Sequence, residues 1–151
     1  MTNKIIEGVI ITPLKQIVDE RGKVMHMLRE DSPVFKKFGE IYFSFTNPQA
    51  IKAWHMHKEM TLNYACIEGR VKFVLYDDRS GSKTQGQIQE LILTQENYCL
   101  VTVPPMIWNG FKGEGTKHSI VANCSTMPHR NDEIIRKPAL DKSIPYSWDN
   151  N

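Results

Sequence analysis

From residue 51 to residue 69 the chain reads IKAWHMHKEMTLNYACIEG, and this stretch decides the fold. His55 and His57 are two residues apart, and residues i and i+2 of a β-strand face the same side of its sheet. The Glu-Gly pair that closes the stretch is typical of a hairpin turn, and the run Arg70–Tyr76 is typical of the next strand. We therefore expect two imidazoles to point together into the space that the sheet encloses. An imidazole is suited both to proton transfer near pH 7 and to metal binding, so both uses have to be weighed.

Short β-branched or aromatic runs, separated by Gly, Pro, Asn or Asp, recur along the whole chain. They predict the strands Gly8–Leu14, Gly22–Leu28, Glu40–Asn47, Ile51–His57, Thr61–Ile67, Arg70–Tyr76, Gln87–Thr94, Tyr98–Val103 and His118–Cys124. Helix signals are sparse. Ser32 followed by Pro33 favours a short helix that ends at Gly39, and a second short helix is expected at 132–136. The proline-rich segment after Met127 is expected to be an extended tail that packs over the barrel.

Length and composition favour a single domain, residues 1–151, of all-β architecture. The hydrophobic content of 40% and the charged content of 24% are ordinary for a globular protein. Many short strands at even spacing are typical of a sandwich or barrel, and a jelly roll is the best candidate.

Charge and cysteine content indicate which classes of binding partner and which cellular compartment to expect. A net charge of +2 with scattered cations favours neither nucleic acid nor a membrane surface as a partner. The first residues lack the apolar core of a signal peptide, and no apolar run reaches the ~20 residues of a membrane span. The three cysteines are widely spaced in apolar runs, so we expect them to be reduced and buried, as is usual in the cytoplasm.

The metal question depends on two further positions. Jelly-roll barrels of the cupin type often bind a metal through a His-x-His strand, a Glu a few residues later and a third His on a later strand. Leu62 stands here at the Glu position and Asn109 at the position of the third His. Leucine cannot bind a transition metal and asparagine binds one poorly, so we predict no metal cofactor and acid–base chemistry for the two histidines. A metal-dependent cupin enzyme that uses an unforeseen third ligand is the alternative.

Several short motifs occur here in the order and spacing of a known family. Residues 19–22 (DERG) match its Asp-x-Arg-Gly turn, residues 52–55 (KAWH) fall on its Arg-Gly-x-His strand, and residues 104–111 (PPMIWNGF) fall on its Pro-Pro-Gly-x-x-His-Gly-Phe motif. Asp141 lies seven residues before Trp148, as an Asp and a Trp do there. The chain thus resembles the dTDP-4-dehydrorhamnose 3,5-epimerase family of cupins. Its centre is also similar to the dTDP-4-keto-6-deoxyhexose 3,4-ketoisomerases.

The resemblance implies a fold, a substrate class and a mechanism. It implies a cupin jelly roll that forms a homodimer and binds a nucleotide-linked keto-deoxysugar in deoxysugar or polysaccharide biosynthesis. The reaction would be epimerisation or ketone isomerisation by removal of a proton beside a ketone. His55 would be the base, Asp141 would orient its imidazole, and His57 would be the second acid or base.

The resemblance also implies which residues contact the substrate. Arg21 and Lys52 would hold the pyrophosphate, because phosphate favours cations with several donors. Asn63 and Asn109 are candidate polar groups of the cavity.

The family's acid is a tyrosine, and its expected place is occupied by Ala122. The absence of this tyrosine argues against a full double epimerisation, and it supports a second alternative, a non-catalytic nucleotide-sugar-binding cupin. Tyr42, Tyr64 and Tyr146 are the candidates to supply a phenol from elsewhere in the fold.

Overall fold

The computed structural model describes residues 4–149 as an assembly of twelve β-strands, with no helix within that range. Accordingly, no helix of the described residues is long and apolar enough to cross a membrane. The strands are β1 (Ile10–Pro13), β2 (Gln16–Asp19), β3 (Gly22–Met25), β4 (Glu40–Thr46), β5 (Ile51–His57), β6 (Leu62–Glu68), β7 (Arg70–Tyr76), β8 (Ile88–Thr94), β9 (Cys99–Val103), β10 (Trp108–Glu114), β11 (Ser119–Ser125) and β12 (Ile134–Arg136).

Two antiparallel five-stranded sheets form the body of the molecule. One has the strand order β1-β9-β6-β11-β4 and the other β12-β5-β10-β7-β8, while β2 and β3 form a separate hairpin. Alternate residues of the facing strands fill the space between the sheets; Tyr64 of β6 packs beside Phe73 of β7 and Phe111 of β10. The prediction of an all-β jelly roll is confirmed.

The centre of the chain folds as its sequence predicts. Strands β5 and β7 have the predicted bounds, and Gly69 makes the turn between β6 and β7 with a φ of +77°. An L-residue rarely adopts this conformation. A Cβ at Gly69 would also lie 2.5 Å from Oγ of Ser119, so the turn needs glycine for two separate reasons.

Both helix predictions are wrong. The Ser32 hydroxyl accepts a hydrogen bond from the backbone N–H of Arg29 in a turn, and residues 35–39 run extended toward β4. The N–H of Gly39 donates to the carbonyl of Ser125, at the end of β11, at 2.8 Å. This segment is therefore held by a neighbouring strand rather than by helical hydrogen bonds. The second predicted helix is instead a turn followed by β12, which pairs with β5.

The C-terminal tail packs on the outer face of the β5-containing sheet, as predicted. Trp148 is fully buried there, with its ring centroid 5.1 Å from that of Trp54 and 5.0 Å from that of Tyr146. Together with Trp108 and Ile144 these residues belong to a second apolar cluster. The tail therefore fixes the position of β5, which carries the two histidines.

Candidate active site

A cleft opens where edge strand β4 of one sheet approaches β5 and β12 of the other. It consists of two cavities of about 410 and 340 Å³, which share Tyr42, His55 and Arg136. Volumes of this size are usual for sites that bind small molecules. The other lining residues are Glu40, Ser44, Ile51, Lys52, Ala53, Trp54, His57, Met60, Tyr64, Phe111, His129, Ile134 and Lys137.

The two histidines of β5 lie side by side in this cleft. Their ring centroids are 5.7 Å apart, and the rings meet edge to face at 81°. Met56, which lies between them in the sequence, belongs to the apolar cluster on the opposite face of the sheet. The prediction that both imidazoles face one space is confirmed.

His55 is held by a buried phenol. Its Nε2 lies 3.1 Å from the hydroxyl of Tyr64, a β6 residue that is only 1% exposed. Burial lowers the pKa of His55 to about 3, and the neighbouring His57 and Arg136 side chains act in the same direction. The His55 imidazole is therefore neutral at physiological pH and has a lone pair that can accept a proton.

His57 is held by a buried carboxylate that sequence reasoning missed. Its Nδ1 is hydrogen-bonded to Oε1 of Glu133, which is 1% exposed. The other oxygen, Oε2, accepts the backbone N–H groups of Glu59 and Met60, both at 3.1 Å. Burial acts to raise the pKa of Glu133, but the hydrogen bonds from His57 and the two N–H groups outweigh it and leave the pKa below its usual value. Glu133 is therefore ionised at neutral pH.

A second phenol reaches the cleft from β4. Tyr42 lines both cavities, and its hydroxyl accepts a hydrogen bond of 3.0 Å from Nδ2 of Asn123, its partner in register on β11. Ala122 is buried and brings no polar group. The strand beside β11 thus supplies a phenol next to the position where the sequence lacks one. Tyr146 lines neither cavity, because its hydroxyl is bound to Glu90.

Three cations give one side of the cleft a positive charge. Lys52 donates to the hydroxyl of Ser44 at 2.7 Å and to the carbonyl of Phe45 at 2.6 Å, and partial burial lowers its pKa. Arg136 and Lys137 follow one another at the end of β12, and Nζ of Lys137 lies 4.6 Å from the centroid of the Trp108 ring. These two cations were not predicted, because the sequence places Arg136 in an apparent helix and Lys137 directly after it, far from β5 along the chain.

Four of the candidate site residues line neither cavity. Arg21 is at the tip of the β2–β3 hairpin in an ion pair of 2.7 Å with Asp19, and the Asp141 carboxylate accepts the backbone N–H of Ser143 at 2.9 Å. The Asn63 amide is bound to the carbonyl of Cys124 and the hydroxyl of Thr102.

Asn109 lies directly behind His55. Its Nδ2 donates to the carbonyls of His55 and Ile107, while its buried Oδ1 has no partner among the described residues. The structure thus brings together Lys52, His55 and His57 of the predicted set. Within residues 4–149 no three His, Cys, Asp or Glu side chains are grouped as metal ligands.

Comparison with known proteins relates this geometry to a single family. The model of the dTDP-4-dehydrorhamnose 3,5-epimerase family matches residues 3–150. A crystal structure of a dTDP sugar isomerase from Desulfovibrio desulfuricans G20 is 44% identical, covers 95% of this chain and 92% of its own, and superposes with a TM-score of 0.93.

Two curated relatives extend the comparison. The probable low-salt glycan biosynthesis epimerase Agl13 of Haloferax volcanii is 32% identical over 123 residues, which are 80% of this chain and 79% of that protein. The spore coat polysaccharide biosynthesis protein SpsL of Bacillus subtilis is 28% identical over 145 residues, 95% and 96% of the two chains.

Proposed function

Because the chain belongs to the dTDP-4-dehydrorhamnose 3,5-epimerase family and is an isomerase of that family, we propose that it acts on a dTDP-linked 4-keto-6-deoxyhexose. It epimerises this sugar, or moves its ketone, by removing a proton from a carbon beside the carbonyl, in a pathway of polysaccharide biosynthesis. The observation that carries the proposal is the pair of differently held imidazoles, His55 and His57, in a cleft rich in cations.

The chemistry requires a base and a group that stabilises the enolate. A carbon acid beside a ketone is weak, so the base must be positioned at the carbon and the oxyanion must meet a donor. His55 has the neutral imidazole that can take the proton. Lys52 supplies a nearby positive charge, and the reaction as proposed needs no metal.

Tyr42 is proposed as the acid on the other side of the sugar. It comes from β4, and His55 comes from β5 in the opposite sheet, so a sugar between them has a base on one face and a phenol on the other. Inversion of a carbon needs this arrangement, because the proton leaves from one face and returns to the other. If Tyr42 has this role, Tyr42→Phe retains proton exchange through His55 but loses inversion.

The positive side of the cleft fits a nucleoside diphosphate. Lys52, Arg136 and Lys137 present amino and guanidinium donors to the same cavity, and such donors bind phosphate oxygens strongly. Arg21 remains a proposed phosphate ligand only as part of a larger assembly, since within one chain it is on the exposed hairpin. We propose a structural role outside the cavity, and no substrate contact, for Asp141, Asn63 and Asn109.

A homodimer would cover the exposed apolar residues of the hairpin and of β4. Val18 and Val24 are 71% and 58% exposed, and Phe43 and Phe45 are 55% and 60% exposed. Apolar patches of this kind often mark interaction sites. Val18→Glu combined with Phe43→Glu should give a monomer by size-exclusion chromatography with light scattering, whereas Leu140→Glu should leave the mass unchanged.

The free cysteines also agree with the proposed cytoplasmic location.

The decisive experiment incubates the protein with dTDP-4-keto-6-deoxyglucose in deuterated water and follows the sugar by NMR. Deuterium at a carbon beside the ketone shows proton abstraction, and the product distinguishes epimerisation from ketone transposition. His55→Asn should abolish exchange, and His26→Asn, which removes an imidazole outside the cleft, should not. Tight binding with no exchange in the wild-type protein would instead support the non-catalytic sugar-binding alternative.

A further inference from the structure

We propose that Glu133 is a positioning residue that holds a proton of His57 on Nδ1 and aims Nε2 into the cleft, so that a proton carried on Nε2 is given to the enolate oxygen. This inference rests on the proposed function and assigns a role to a residue outside the motifs of the sequence.

The carboxylate of Glu133 is fixed from both of its oxygens. Oε2 is held by the N–H groups of Glu59 and Met60, so Oε1 is directed at the ring of His57. The backbone adds a further constraint, because the N–H of Lys58 donates to the carbonyl of Glu133 at 2.8 Å. Since an ionised carboxylate can only accept hydrogen bonds, Nδ1 of His57 must carry the proton.

This arrangement leaves Nε2 of His57 for the substrate. Nδ1 is occupied by Glu133, and within residues 4–149 Nε2 has no hydrogen-bond partner, although the side chain lines the cleft and is 6% exposed. When Nε2 also carries a proton, the Nδ1–H group still faces the Glu133 carboxylate, so the ring keeps its orientation.

The two imidazoles are therefore prepared for different roles. His55 has the phenol of Tyr64 as its partner and is held neutral by burial, whereas His57 has the ionised carboxylate of Glu133 as its partner. Titratable neighbours whose environments differ in this way commonly divide the roles of base and acid.

The proton and electron balance follows from this division. His55 takes the proton from the carbon beside the ketone, and the electron pair of the broken C–H bond moves to the carbonyl and makes an enolate. His57 enters the step with a proton on each ring nitrogen. Its Nε2–H bond breaks as an O–H bond forms on the enolate oxygen, and His57 becomes neutral with its Nδ1 proton retained. When the carbon is reprotonated, the O–H proton returns to Nε2 of His57 and the carbonyl forms again. If His55 returns its proton to the same or the neighbouring carbon, both imidazoles are restored; if Tyr42 protonates the carbon from the other face, the extra proton on His55 and the missing proton of Tyr42 are exchanged with solvent.

A purely structural role for Glu133 would also be served by glutamine. In Glu133→Gln the side-chain oxygen can still accept the two backbone N–H groups, and the NH2 group then faces Nδ1 of His57. Because NH2 is a donor, Nδ1 must become the acceptor and the proton must move to Nε2. The substitution thus changes the tautomer while it keeps the size and the hydrogen-bond count. Glu59→Gln is the matched control, since Glu59 is an exposed neighbour whose side chain is bound to Arg130 on the surface.

The test combines a spectroscopic measurement with kinetics. Long-range ¹H–¹⁵N NMR of His57 should show Nδ1 protonated in the wild-type protein and in Glu59→Gln, but Nε2–H alone in Glu133→Gln. The kcat of Glu133→Gln should fall on the order of 100-fold, the low end of an acid–base contribution, with KM changed less than about threefold. The pH profile of kcat should shift in Glu133→Gln and should not shift in Glu59→Gln. The other titratable or charged groups that line the cleft around His57 are unchanged in both variants; they are Glu40, Tyr42, His55, His129 and Arg136.

Each outcome decides a separate point. Nε2–H as the single protonated nitrogen in an active wild-type protein would overturn this inference without any variant, so the test does not depend on whether Glu133→Gln folds. Unchanged kcat and pH profile in a folded Glu133→Gln protein would overturn it as well. A wild-type protein with the Nδ1–H form but no exchange at any sugar carbon would overturn the proposed function instead.

Discussion

Burial of a neutral His55 should make the protein less stable in mild acid. In the unfolded chain an imidazole has a pKa near 6.5, whereas burial in the cleft lowers the pKa of His55 to about 3. Between these two values the unfolded state binds a proton that the native state does not. The free energy of unfolding therefore falls as the pH decreases from 6.5 toward 3, and the stabilisation is fully present above 6.5.

The size of the effect follows from the same two values. At pH 5 the unfolded imidazole is almost fully protonated and His55 in the native protein is neutral, so the linkage costs about 2 kcal/mol relative to pH 8. Replacement of His55 by Asn removes this contribution. Carboxylates such as Glu133 titrate in both proteins, and their contribution cancels when the two pH dependences are subtracted.

Denaturant unfolding at pH 5 and pH 8, followed by tryptophan fluorescence, measures the difference. We expect the wild-type protein to lose about 2 kcal/mol more than His55→Asn between the two pH values. His26→Asn is the control and should lose as much as the wild type. Equal losses in the wild type and His55→Asn would show that His55 is not held neutral by burial and would refute the reasoning.

Three further outcomes are expected. Trp148→Ala should lower the free energy of unfolding by about 3–5 kcal/mol in denaturant titrations, because it leaves a cavity beside Trp54. Leu140→Ala, at an exposed site, should change this free energy little, and equal stability of the two variants would contradict the packing of the tail. Lys52→Ala should weaken binding of dTDP by about 1–3 kcal/mol in calorimetry, and unchanged affinity would remove Lys52 from the phosphate site. Dialysis against a chelator should leave turnover intact, and loss of turnover that Mn²⁺ or Zn²⁺ restores would favour the metal-dependent alternative.

The fold could be predicted where local pattern and tertiary pairing agree. Strands β5 and β7 are rich in β-branched or aromatic residues and were predicted with their correct bounds. Strand β10 was missed because it contains Gly110 and Gly113, which weaken a strand signal. Both glycines are required by close approach: a Cβ would lie 2.5 Å from Cβ of Ala53 at the first and 2.5 Å from the carbonyl oxygen of Asn47 at the second.

The helix errors have a similar cause. The Ser32-Pro33 signal is a real turn signal, but Gly39 lies so close to the backbone of Met127 that the segment must run extended beside it. Residues 134–136 pair with the edge of β5, as the β-branched Ile134 and Ile135 favour, so this stretch is a strand and not a helix.

The residues of the candidate site could likewise be predicted where they are close in the sequence and could not where only the fold brings them together. The histidine pair could be predicted because both members are on one strand. Glu133 could not, since it contacts His57 across 76 positions of the chain and no short motif connects them. The family pattern indicates Asp141 as the partner of the base, but Asp141 lies outside the cleft.

The segment 133–149 has a consequence for how activity in this fold can diversify. It begins with the carboxylate that holds His57, continues through the two cations of β12 and ends in the tryptophan locked against Trp54. The barrel core lies between the strands that precede it. Exchange of this one C-terminal segment between relatives would replace the carboxylate partner of His57 and two cations of the cleft together, while the strands around the barrel core stay unchanged. Chimaeras joined just before residue 133 are therefore a direct route to transplanted substrate preference.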